Sequence, residues 1–90
     1  MVDANATVKL FAALRDAAGT GTVTVAAPVP LQTLLGDLCA RFGGRFADRL
    51  AIAAVMVDGN PVDRGADLWV GPGAEVALLP PFAGGARPPS

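Results

Sequence analysis

The sequence predicts an α+β fold in which a mixed sheet of four to five strands is covered on one face by one main helix. The helix is indicated by apolar residues that recur at helical spacing, namely Leu31, Leu34, Leu35, Leu38 and Phe42. The segments before and after it alternate between apolar and polar residues, which is typical of strands. The 90 residues suffice for one domain.

The first part of the chain predicts two strands. Ala6 to Phe11 has the alternation of a strand, with Val8 and Leu10 on one face, and Ala12 to Gly19 is expected to be a connection. Thr22 to Val25 alternates as a second strand. The chain is therefore expected to open with a hairpin-like pair of strands.

The main helix is expected to begin after Pro28 and Pro30 and to stop at Gly43-Gly44. Arg45 to Leu50 is expected to add a short helical turn. Cys39 lies beside the apolar stripe of the helix, and a small buried or half-buried residue is expected there in preference to a reactive thiol.

The second part of the chain supplies the remaining strands. Ala53 to Val57 is expected to form the third strand, ended by the turn signal Asp58-Gly59. Val62 and Leu68 to Val70 are expected to be short edge pieces, with the tryptophan of the latter covering the core or its rim. Glu75 to Leu79 is expected to be the last strand.

This order of elements is that of the β-grasp fold, with the first and last long strands side by side in the middle of the sheet. We expect the domain to span residues 1–80, a flexible arm to span 81–85 and a C-terminal extension to span 86–90.

The composition excludes several functional classes. The chain has no histidine and one cysteine, so it lacks the usual general acid or base and the roughly four ligands of a zinc site. Its net charge is -1 and its basic residues are dispersed, which argues against nucleic acid as a partner. Arg41, Arg45 and Arg49 are expected to form a solvated face, or to contact an acidic partner surface.

The longest apolar stretch, Leu50 to Val57, is much shorter than the roughly 20 residues of a membrane-spanning helix. No signal sequence is expected, because no cationic segment followed by an apolar stretch opens the printed sequence, and a single cysteine cannot form an internal disulfide. The expectation is a cytoplasmic protein with no membrane partner and no bound metal.

The end of the chain carries the strongest functional signal. An apolar strand runs into Pro80-Pro81, then Phe82-Ala83 and then Gly84-Gly85. Glycine has no Cβ, so such an arm can enter a narrow site on another protein where a side chain would clash. The alternative is a frayed terminus without a role.

The sequence resembles the ubiquitin-like sulfur-carrier family. The matching segments are Val8 to Ala12, Leu34-Leu35, Val57 to Gly59 and, above all, Gly73 to Gly85. The last of these is more similar to the small subunit of molybdopterin synthase (MoaD type) than to the thiamine sulfur carrier (ThiS type).

The resemblance implies that the carboxylate of Gly85 is the working group. A separate adenylating enzyme, similar to the ubiquitin activators, would use ATP to convert this carboxylate to an acyl-adenylate. Sulfur from a persulfide or sulfide would then displace AMP, and the resulting thiocarboxylate would deliver sulfur to a synthase subunit. The chain would be a co-substrate and not an enzyme, and it would bind no cofactor itself.

One departure from the family concerns the residues after the glycine pair. Mature carriers of the family end at Gly-Gly, whereas Gly85 is followed here by Ala86. The resemblance therefore implies that a protease cleaves between Gly85 and Ala86 and removes residues 86–90. The alternative is a permanent extension on a β-grasp module that only binds.

Strand alternation also predicts a surface for partners. If Val8 and Leu10 face the helix, the side chains of the opposite face would meet at the base of the arm as an exposed apolar patch. The alternative is that another part of the chain covers it. The residues expected to contact partners are Phe11, Leu79, Pro81, Phe82, Ala83 and Gly84.

Two further alternatives stay open at this point. The same tail would suit a protein modifier that is attached through Gly85 to lysines of target proteins. The sequence has only one lysine, Lys9, so polymeric chains of the modifier linked to itself would be poorly supported. For a carrier, the acceptor of the sulfur could be the molybdenum cofactor precursor or the precursor of another sulfur-containing product.

Overall fold

The computed structural model describes residues 4–81. The strands are β1 (Asn5–Leu10), β2 (Thr22–Ala26), β3 (Val29–Pro30), β4 (Ala54–Val57), β5 (Asn60–Val62), β6 (Trp69–Val70) and β7 (Glu75–Leu79). The helices are α1 (Ala13–Ala18), α2 (Leu31–Phe42) and α3 (Gly44–Leu50).

Five strands form one mixed sheet in the order β2-β1-β7-β4-β5. The two central strands, β1 and β7, are parallel, with Val8 opposite Val76 and Leu10 opposite Leu78. The neighbours on either side, β2 and β4, run antiparallel to them. The predicted β-grasp arrangement is confirmed, with the first and last long strands side by side in the centre.

The core lies between one face of this sheet and the helices. Strand alternation directs Val8, Leu10, Val76 and Leu78 inward, where each is at most 2% exposed. The apolar stripe of α2 packs in the same cluster, and its four leucines are buried. The helical spacing therefore predicted the core-facing side of α2 correctly.

Gly43 separates α2 from α3. Its φ of 91° lies in the region that glycine adopts at little cost, and its N–H donates to the carbonyl of Cys39 at 2.9 Å. The chain then turns into α3, which buries Phe46 and Leu50. The rings of Phe42 and Phe46 lie 5.2 Å apart across this junction, so the expected short turn is a packed helix.

The expectation of a simple connection at Ala12 to Gly19 is wrong, because the structure forms α1 there. The six residues of α1 include three alanines, one leucine and one arginine, which all favour helices. Ala12 has a φ of 53°, and Gly19 ends the helix in a left-handed conformation. In six residues only Leu14 is buried, so no apolar period marks the helix in the sequence.

The expectations for Leu68 to Val70 are also corrected. Trp69 and Val70 belong to β6, which does not extend the main sheet and instead pairs with β3 in a separate two-stranded sheet. Successive side chains of a strand point to opposite sides, and Val70 takes the buried position. Trp69 is 66% exposed and does not cover the core.

Candidate functional site

The candidate site is the end of the sheet at which the last strand, β7, stops. Because β1 and β7 are parallel and adjacent, both stop at this end, with Leu10 beside Leu78. Phe11 follows β1 there, and Pro80 and Pro81 follow β7. The topology therefore brings together residues that lie about 70 positions apart in the sequence.

The side of the sheet that faces away from the core, called here the open face, carries part of the predicted patch. Leu79 is half-buried on this face, while Phe11 remains 39% exposed and Pro81 is exposed. Among the predicted partner-binding residues that lie within residues 4–81, Phe11 and Pro81 are therefore the exposed ones. Phe82, Ala83, Gly84, Gly85 and Ala86 lie outside the described residues.

The open face also includes Ala54 and Met56 of β4, which sequence reasoning did not select. Ala77 lies between Lys9 of β1 and Met56 of β4, and Leu79 lies opposite Ala54. All of these side chains except that of Lys9 are apolar, and all are half-buried. Alternation within β4 could have identified Ala54 and Met56, because Val55 and Val57 point to the core.

The Asp58-Gly59 pair forms the turn between β4 and β5, as predicted. Asp58 has a φ of 51° and Gly59 a φ of 82°, the positive values that this class of hairpin turn requires. The carboxylate of Asp58 accepts a hydrogen bond from the backbone N–H of Glu75 at 2.9 Å, and the N–H of Asp58 donates to the carbonyl of Glu75 at 2.8 Å. The turn thus holds the start of β7 in register.

Cys39 is half-buried on α2, as expected for a structural residue. It borders an open depression of about 470 Å³ between α2, α3 and the segment Asp63 to Gly65. Burial raises the pKa of the Cys39 thiol, because the thiolate loses hydration there. This direction disfavours a nucleophilic role at neutral pH.

The three arginines at four-residue spacing are all exposed, with Arg41 on α2 and Arg45 and Arg49 on α3. The Arg41 guanidinium carbon lies 5.2 Å from the centre of the Phe42 ring. Among residues 4–81 there is no group of three His, Cys, Asp or Glu side chains that could hold a metal ion. No helix within that range is long and apolar enough to cross a membrane.

A mixed sheet with this strand order, in which the last strand is central and lies parallel to the first, defines a ubiquitin-like β-grasp domain. The model of the ThiS family matches residues 8–85. The chain therefore belongs to the ThiS family, and it is of the ubiquitin-like sulfur-carrier type. No curated protein matches the sequence.

Solved structures agree with this fold. A candidate molybdopterin converting factor, subunit 1, from Pyrococcus furiosus superposes with a TM-score of 0.73 at 23% identity, covering 86% of this chain and 97% of its own. Small archaeal modifier protein 1 from Haloferax volcanii gives 0.70 at 26% identity, with 87% and 98% covered. Its counterpart from Methanosarcina acetivorans gives 0.69 at 24% identity, with 93% and 99% covered. The first and third of these likenesses are evidence of the fold alone.

Proposed function

We propose that this protein is a sulfur carrier whose working group is the carboxylate of Gly85, released by cleavage between Gly85 and Ala86. The observation that carries the proposal is the extent of the family match, which runs through the core and the arm and stops at Gly85. Residues 86–90 fall outside that match, which supports their removal before activation. The chain would act as a co-substrate for other enzymes.

The proposed chemistry has two steps after cleavage. In the first, a carboxylate oxygen of Gly85 attacks the α-phosphorus of ATP on a separate adenylating enzyme, and pyrophosphate leaves. In the second, hydrosulfide attacks the acyl carbon, AMP leaves and one proton is released, which gives the thiocarboxylate. A persulfide donor would in addition require a thiol to reduce the acyl disulfide formed first.

The carrier needs little chemistry of its own for these steps. A carboxylate is a poor electrophile, and the activating enzyme supplies ATP and the charge stabilisation that adenylation needs. The carrier contributes a backbone without side chains at Gly84 and Gly85, and a surface that holds the arm in the enzyme's site. We assign that surface to Phe11, Leu79 and Pro81, continued by Phe82, Ala83 and Gly84 along the arm.

The open face supports this assignment. Protein–protein interfaces are most apolar in their buried centre and polar at the rim. Ala77, Leu79 and Met56 form an apolar centre, and Lys9 lies next to it on β1. The acceptor of the sulfur is proposed to be a synthase subunit that makes molybdopterin or a related sulfur-containing metabolite in the cytoplasm.

A comparison of three purified chains tests the proposal. One is the chain as printed, one ends at Gly85, and one ends at Gly84. With ATP and the candidate adenylating enzyme of the same organism, the chain ending at Gly85 is expected to release pyrophosphate, and with sulfide it is expected to form a thiocarboxylate. The other two chains should do neither. Equal pyrophosphate release from all three would contradict a role for the Gly85 carboxylate.

A second candidate function is a protein modifier conjugated through Gly85. The specific observation in its favour is the likeness at 26% identity to the Haloferax volcanii small archaeal modifier protein 1, of which 98% is covered. Both candidates require the adenylate, so the test above does not separate them. Detection of an isopeptide bond between Gly85 and a target lysine in cells would favour the modifier. A chain that keeps its partner when Gly85 is replaced would be a β-grasp module that only binds.

A further inference from the structure

An apolar groove lies beneath the start of the C-terminal arm. It has a volume of about 170 Å³ and is formed where the end of β1, the start of α1, the end of α3 and the end of β7 meet. The larger side chains that line the groove are those of Phe11, Leu14, Arg49, Ile52, Pro80 and Pro81. The function proposed above makes no use of Arg49, Leu14 or Ile52.

The groove has an apolar floor and accessible walls. Leu14 is buried at 2% exposure, whereas Phe11 is 39% and Ile52 is 53% exposed. Phe11 and Ile52 are two of the three large apolar side chains that are most exposed among the described residues. Two such side chains beside one concave surface suggest that something apolar covers it.

The size of the groove suits one aromatic ring. An engineered protein cavity of about 150 Å³ lined by Leu, Ile and Phe binds benzene. The present groove has a comparable volume and a similar lining, with Arg49 as the charged residue at its border. A guanidinium in that position would favour an aromatic ring over an aliphatic side chain, because it can interact with the ring face.

The chain itself supplies an aromatic side chain at this point. The described residues end at Pro81, which lines the groove, and the next residue is Phe82. Consecutive Cα atoms are about 3.8 Å apart, so the Phe82 ring starts within one residue of the groove. We infer that the Phe82 ring docks in this groove, against Leu14 and Ile52 and next to Arg49.

Docking would anchor the arm close to its reactive end. Only Ala83 and Gly84 separate Phe82 from Gly85. An anchored arm loses less conformational entropy when it enters a partner's site. The affinity for the partner is therefore higher although no new contact is made. The outer edge of the docked ring would also adjoin Phe11 and continue the apolar patch toward the partner.

Nuclear magnetic resonance of the full chain tests the docking directly. We expect nuclear Overhauser effects between the Phe82 ring protons and the methyl groups of Ile52 and Leu14. We also expect the backbone order of the Phe82 amide to approach that of β7. Phe82→Ala should remove the ring-current shifts of the Ile52 and Leu14 methyls and leave the rest of the domain unchanged.

Two variants on the surface of the folded domain provide a matched comparison. Ile52→Ser should lower the order of the Phe82 amide, whereas Trp69→Ser should not, although Trp69 is the more exposed of the two. Absence of Phe82 contacts in the free protein, together with Ile52 methyls that do not respond to Phe82→Ala, would overturn the inference. Ile52 methyls that shift only after the adenylating enzyme is added would also overturn it, by assigning the groove to the partner. Neither ATP nor activation enters the measurement on the free chain, so its failure is distinguishable from failure of the carrier proposal.

Discussion

Replacement of Phe11 by alanine tests whether the base of the arm is a partner surface. About 39% of Phe11 remains exposed in the free domain. For an aromatic side chain of about 200 Å², this fraction corresponds to about 80 Å² of surface that a partner can cover. At about 25 cal/mol per Å², its burial is worth about 2 kcal/mol, so Phe11→Ala should raise the Kd for the adenylating enzyme about 30-fold.

Isothermal titration calorimetry with the chain ending at Gly85 measures this effect. The buried part of Phe11 contributes to folding, so the thermal transition of each variant is recorded and binding is measured well below it. Trp69→Ala is the matched control, since Trp69 is 66% exposed but lies on the separate two-stranded sheet. A normal Kd for a folded Phe11→Ala variant, or an equal loss for Trp69→Ala, would refute the assignment of the surface.

Three further predictions concern the domain itself. Leu78→Ala should lower the free energy of unfolding in urea by about 2–5 kcal/mol, because Leu78 is fully buried on a central strand, and Leu79→Ala should cost less. Asp58→Ala should destabilise by about 1–3 kcal/mol, since it removes the acceptor for Glu75 and places alanine at a φ of 51°, whereas Asp58→Asn should cost little. Cys39 should be alkylated more slowly in the folded than in the unfolded chain at neutral pH, and its rate should rise only at higher pH, because burial raises the pKa of its thiol; equal rates would show that the thiol is not protected.

The long elements could be predicted because each carries a repeated pattern. The stripe of α2 and the alternation of β1 and β7 determine which side chains face the core, and the two central strands follow from their apolar character. The helix α1 was missed because six residues with one buried side chain contain no period. The pairing of β3 with β6 was missed because two-residue strands carry no alternation, and their partners lie about 40 residues apart.

The candidate site also has features that could be predicted from the sequence and features that could not. The Gly-Gly pair, the exposure of Phe11 and the outward direction of Leu79 could be predicted from local sequence. The groove beneath the arm does not, because Leu14, Ile52 and Pro81 come from three distant segments that meet only in the folded chain. Contacts between segments that are distant in sequence cannot be inferred from a local sequence pattern.

The intact mass of the protein recovered from its own cells tests the central claim most directly, when it is measured again after incubation with ATP, sulfide and the adenylating enzyme. The account predicts a chain that ends at Gly85 and then gains the mass expected for exchange of one oxygen for one sulfur. A mass that keeps residues 86–90 under every condition would contradict the account, because Gly85 would then never present a carboxylate.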